Sequence, residues 1–162
     1  MITIKYDNVL LNTMTHKWFE DYMENLSKQD PYTYLENFED IHVYWHMENP
    51  FLGFLSFHRT VIDTLRTSLR GAGADLPSAW TTAEPAYLNW IDDIKDAEEF
   101  SEAIQFWHNG VHNNPNYSEI MNPRTNIYTV RFWGLHVFID EKFTDWLKRN
   151  NTTFDQIDHD RV

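Results

Sequence analysis

Apolar residues recur at helical spacing along most of the chain. Trp18, Phe19, Tyr22, Met23 and Leu26 predict a helix that Thr13 or Thr15 can cap and that runs to about Lys28. Gln29-Asp30-Pro31 interrupts it, because the residue before a proline is pushed out of helical geometry. A second helix is predicted over about Tyr32 to Met47, where Leu35, Phe38, Ile41, His42, Trp45 and His46 form one broad face and Pro50 ends the run. A third spans about Leu52 to Leu69 and stops at Gly71-Ala72-Gly73. Two more are predicted over Ala97 to His112 and Val130 to Arg149. Met1 to Leu11 alternates briefly and reads as a short strand or an extended arm. Residues 71–85 and 112–129, rich in glycine, proline or asparagine, are connecting loops, and 150–162 reads as a polar tail. Nothing repeats at a fixed period. The expectation is a mainly α protein, an α-helical bundle in a single domain over 1–162.

Composition narrows the function. The chain has 162 residues, is 42% hydrophobic and 16% aromatic, and so is no disordered segment. Twenty-five acids against 13 bases give a net charge of −12, which argues against nucleic acid as a partner, since phosphates need a basic face. No apolar run reaches 18 residues, so no membrane span is expected. The start carries Lys5, Asp7 and Asn8 rather than an apolar leader, so a soluble, cytoplasmic protein is the expectation. Cysteine is absent, which removes disulfides, thiolate nucleophiles and zinc–cysteine sites and leaves histidine and carboxylate for metal or acid–base work.

The eight histidines carry most of the remaining information. His42 and His46 lie four apart on one predicted helix, and His108 and His112 lie four apart on another. Four residues turn a helix by roughly 400°, so each pair shares a face one turn apart, a spacing able to grip one metal. A third histidine follows each pair on the next helix, His58 after the first and His136 after the second. A lone core histidine usually just donates to a carbonyl, and one such pair arises easily by chance. Two matched triplets inside aromatic helices are harder to reach by accident. Six neutral imidazoles suit copper and also zinc. The acid-rich pattern of di-iron bundles, with a Glu-x-x-His on each of two helices, is not present at these positions. His16 and His159 fall outside both triplets and read as surface residues.

The local sequence points to one family. His108-Asn109-Gly110-Val111-His112 resembles the HNxVH motif of the second copper site of tyrosinases. Phe132-Trp133-Gly134-Leu135-His136-Val137-Phe138-Ile139-Asp140 resembles that family's FWLHHxxxD segment, and Trp146 falls where its tryptophan does. Phe54-Leu55-Ser56-Phe57-His58-Arg59 is similar to the FLPWHR motif of the first copper site. The resemblance to type-3 copper proteins covers roughly residues 1–147. It implies a four-helix bundle holding a dinuclear copper centre, with O2 as co-substrate. His108, His112 and His136 would bind one copper, and His42 and His58 the other. Tyrosinases take the remaining ligand nine residues before the FLPWHR histidine, where this chain has Asn49; His46 is the substitute, in an arrangement similar to arthropod haemocyanins.

Other positions depart from the pattern. Leu135 replaces the first histidine of the family's HH pair, Asn113-Asn114-Pro115 replaces its Gly-Gly, and without cysteine no thioether crosslink to a histidine can form. The resemblance further implies that Asn109 and an upstream glutamate hold a water that helps deprotonate a phenol. Glu98, Glu99 and Glu102 are near the right distance and Glu99 is the choice, although Glu98-Glu99 also suits a solvated first helical turn. Asp140, one turn beyond His136, is a candidate to orient its imidazole, with Arg59 balancing the charge. An ordinary buried ion pair explains those two residues equally well. The implied activity is a dicopper oxidase or monooxygenase acting on a small phenol, catechol or aminophenol. The alternative is an oxygen- or copper-binding protein without turnover.

Overall fold

Each helix begins where a side chain or backbone acceptor is ready for its free N–H groups. The computed structural model describes residues 15–48, 52–80 and 86–162. Helix α1 (His16–Leu26) starts at Thr15, whose hydroxyl accepts from Trp18 N at 3.2 Å, and it buries Phe19, Met23 and Leu26. Helix α2 (Pro31–Glu48) places proline in its first turn, where a missing N–H costs nothing. Asp30 accepts there from Thr33 N at 3.1 Å. The segment expected only to break the first helix therefore also starts the second. Helix α3 is Phe54–Gly71, α4 is Ala97–His112 capped by Asp96, and α5 is Val130–Arg149 capped by Thr129. The last two match their predicted ranges. The polar loop between them folds into two 3-10 turns, Pro115–Ile120 and Asn126–Tyr128. The expected N-terminal strand or arm, Thr13 as a cap and Asn49 lie outside the described residues.

The protein is mainly helical, with no strand among the described residues. Helix α3 is the hub and packs against α1, α2, α4 and α5. Its first turn, Phe54 to His58, is buried on every side, as is Phe132 to Ile139 of α5. Such unbroken runs hide the helical period but mark the two segments at the centre. The core is aromatic, with Trp45, Tyr34, Phe19, Phe38, Phe57, Phe100, Phe132 and Phe143 among its largest buried side chains. Buried indoles keep a partner for the N–H: Trp45 donates to Leu52 O at 3.1 Å and Trp133 to Ile127 O at 2.7 Å. No helix among the described residues is long and apolar enough to cross a membrane.

The polar tail is an integral part of the fold. Asn151 takes a left-handed φ of 50°, the chain reverses, and a capping box at Thr153 and Gln156 forms a last 3-10 turn. The segment then caps α3. Gly53 N donates to His159 O at 2.8 Å, and Leu55 N and Ser56 N donate to Val162 O at 2.7 and 3.2 Å. Ser101 Oγ on α4 donates to the same Val162 oxygen at 2.9 Å. A Cβ at Gly53 would fall 2.2 Å from Val162 C, so only glycine admits this approach. The docking rests on backbone acceptors meeting the free N–H groups of α3, which hydropathy does not register.

Candidate metal centre

The six histidines of the two triplets converge between α2, α3, α4 and α5. Within the pairs, ring centroids lie 4.5 Å apart for His42 and His46 and 4.3 Å for His108 and His112. His58 joins the halves: its centroid is 5.8 Å from His46, 5.8 Å from His108 and 4.7 Å from His136. Ligand atoms of His42, His46 and His58 lie within 4.8 Å of one another, and so do those of His58, His108 and His136. His112 stands beside the second group, 5.5 Å from His136. The two triplets thus meet in one continuous cluster.

Hydrogen bonds set the tautomers. Nδ1–H donates to a backbone carbonyl in four rings: His58 to Phe54 O and His136 to Phe132 O, both at 2.8 Å and one turn back on their own helices. His42 donates to Pro123 O at 2.8 Å and His112 to Ile120 O at 2.6 Å. His108 Nδ1 meets Asn109 Oδ1 at 3.0 Å. With Nδ1 so committed in these five rings, their Nε2 atoms are left as lone pairs. Nε2 of His42, His46, His58 and His112 is buried without a partner. His108 Nε2 and His136 Nε2 face each other at 3.1 Å, lone pair against lone pair.

Burial, and then the neighbouring imidazoles, push His42, His58, His108 and His136 well below the ordinary value of 6.5. Burial and the nearby His112 lower His46 to about 4. His112 is lowered by burial, against the opposing pull of the Ile120 carbonyl. Neutral imidazoles with uncommitted Nε2 atoms are what a metal requires. A buried unpaired acceptor otherwise costs on the order of 1–3 kcal/mol, and four in one spot is an arrangement that a cation relieves. The residues present therefore fit a bound metal.

Aromatic rings wall the cluster: Phe132 stacks on His136 at 3.9 Å, Phe54 lies 4.7 Å from His108, and Trp45 meets His58 edge-on at 5.3 Å. His46 and His112 are the least buried of the six and mark its outer side. A cleft of about 600 Å³ along α4 is lined by Leu88, Phe106, Trp107, Asn109 and Asn113 among others; it reaches Asn109 but none of the six imidazoles.

No family model, curated protein or solved structure matches this chain.

Several expected residues lie elsewhere. Glu99 is exposed in the first turn of α4, where its N–H meets Asp96 at 2.9 Å. Nine residues separate it from His108, roughly 13 Å along a helix, too far to share a water with Asn109. Glu98 faces Arg161 at 3.4 Å and Glu102 is exposed. Asn109 does adjoin the cluster, but its oxygen holds the His108 ring. Asp140 leaves His136 to the Phe132 carbonyl and pairs with Arg59 instead, Nε to Oδ1 at 2.8 Å. Arg59 also donates to Asp140 O and Thr144 Oγ1 and lies over Phe143. That half-buried ion pair ties α3 to α5. His16 and His159 are not isolated surface residues: they are half-buried and stacked on each other at 4.7 Å. The acceptors Ile120 O and Pro123 O had no sequence signal beyond the loop's turn residues. Asn126, buried in that loop, braces Ile120 O from the other side at 3.2 Å.

Proposed function

We propose that the chain is a small tyrosinase-like dicopper oxidoreductase, a four-helix bundle around a metal pair, acting with O2 on a phenol, catechol or aminophenol. One observation carries the metal: four buried imidazole Nε2 atoms without a partner, beside two more whose lone pairs oppose each other. An all-nitrogen donor set without carboxylate or thiolate favours copper among first-row ions. His42, His46 and His58 would hold one ion and His108, His112 and His136 the other. Copper at such a site supplies two-electron chemistry between O2 and an aromatic substrate.

The chain's own part is positioning. Carbonyl acceptors at Phe54, Pro123, Ile120 and Phe132 fix the tautomer and aim Nε2 inward, and burial keeps the rings unprotonated at neutral pH. Asn109 orients His108. Phe54, Phe132 and Trp45 exclude water from the ligands. A small aromatic would approach from the side of His46 and His112, the less buried rings.

Copper content after loading, with oxygen uptake over a panel of phenols, catechols and aminophenols, tests the proposal. Two coppers per chain and substrate-dependent uptake are expected, both lost in His108→Gln. Fewer than two coppers in the parent protein refutes the paired site. The remoteness of Glu99 favours one second reading, copper or oxygen binding without turnover. Two bound coppers with no uptake on any substrate would select it.

A further inference from the structure

We propose that His16, Glu20 and His159 form another metal site, for a single divalent cation of the zinc class, using none of the six imidazoles above. One ligand atom from each of the three side chains lies within 4.8 Å of the other two. His16 and Glu20 are one turn apart on α1, with Nε2 and Oε1 at 2.8 Å. His159 arrives from the tail, its ring stacked on His16 at 4.7 Å and tilted against Phe154 at 4.3 Å.

The tautomer of His159 suits the role. Its Nε2–H donates to Phe154 O at 2.8 Å, which leaves Nδ1 as a lone pair. That Nδ1 is buried without a hydrogen-bond partner, and His16 Nε2, also buried, faces the Glu20 carboxylate. Two imidazole nitrogens and a carboxylate oxygen converge, with an acceptor already fixing one ring from behind. This is the donor set and outer support of a zinc site built from two histidines and one carboxylate, in which Zn–N and Zn–O distances run to about 2.0–2.2 Å. Tetrahedral ligands at that distance stand about 3.4 Å apart, so a bound ion would open the 2.8 Å contact of His16 with Glu20 and hold His159, whose ligand atom lies within 4.8 Å of both. Water would fill the remaining position.

The site would act as a clasp. The segment that carries His159 supplies the carbonyls capping α3, whose first turn bears His58, and Val162 O also binds Ser101 on α4. A cation bridging His159 to α1 would pin this segment and with it the entrance turn of α3.

Zinc is counted per chain after equilibration and desalting of the full-length protein and of three variants, His159→Gln, His16→Gln and Glu20→Gln. His159→Gln and His16→Gln are expected to retain one zinc fewer than the parent, and Glu20→Gln to bind that zinc at least about ten-fold more weakly. Zinc should also raise the melting temperature of the parent more than that of the variants. Zinc bound at the six imidazoles is common to all four proteins and cancels in the comparison. Glu20 is a partly exposed helical position, so its variant keeps the test valid should His159→Gln fold poorly. Equal zinc counts and equal thermal shifts in parent and variants overturn the proposal and leave a helix ion pair with a stacked imidazole.

Discussion

Acid should unfold the metal-free protein over an unusually mild range, and the imidazole cluster sets the size of the effect. Five of its histidines are strongly lowered: His42, His58, His108 and His136 well below 6.5, and His46 to about 4. Above pH 6.5 these groups are neutral in both folded and unfolded chains, so they add no pH dependence. As pH falls below 6.5 the unfolded chain takes up protons that the fold refuses. Stability is therefore present above the unfolded value and lost on acidification, levelling only near the folded values. Each group costs about 1.4 kcal/mol per pH unit in that window. A single proton shared between His108 Nε2 and His136 Nε2, 3.1 Å apart, would spare one of the five. Going from pH 7.5 to 5.5 should thus remove roughly 5–7 kcal/mol, comparable to the whole stability of a domain this size. Urea titrations followed by circular dichroism at half-unit pH steps on chelator-treated protein measure it, and His42→Gln should flatten the slope by about one proton. A stability constant to within about 1 kcal/mol across that range refutes the reasoning, because it would mean the imidazoles are solvated or already charged in the fold.

Other outcomes follow from single contacts. Asn109→Ala removes the acceptor that orients His108 and should weaken copper binding about 10- to 100-fold in a competition titration, while Glu99→Gln leaves it unchanged. Asp140→Asn breaks the half-buried pair with Arg59 and should cost roughly 1–3 kcal/mol in chemical denaturation, with copper content preserved because Asp140 does not touch His136. Gly134→Ala drives a Cβ to 2.7 Å from Trp80 Cδ1. It should displace that indole, shift its fluorescence and destabilise the protein by about 1–3 kcal/mol.

The helices, their order and the four-residue histidine pairs were legible along the chain, because helical periodicity, caps and turn residues act within a few residues of each other. Thr15, Asp96 and Thr129 cap where a short-range reading expects a start, and the ranges of α4 and α5 coincide with their apolar stripes. Glu99 misled for a related reason: distance along the sequence resembles the family's spacing, while helical rise carries the carboxylate out of reach. The tail misled because its attachment uses backbone carbonyls at His159 and Val162, and composition does not register these.

By itself the sequence determined that six imidazoles would sit on the inward faces of helices, since their spacing shares the period of the surrounding aromatics. Only the tertiary structure decided how they meet. Packing around α3 puts His58 between the two pairs and joins the two triplets in one cluster. The loop carbonyl of Pro123, far along the chain from His42, and that of Ile120 beside His112 choose which ring nitrogen stays free. The same long-range folding brings His159 onto His16. Contacts of this kind follow from the volume and direction of packed helices, which no local pattern encodes.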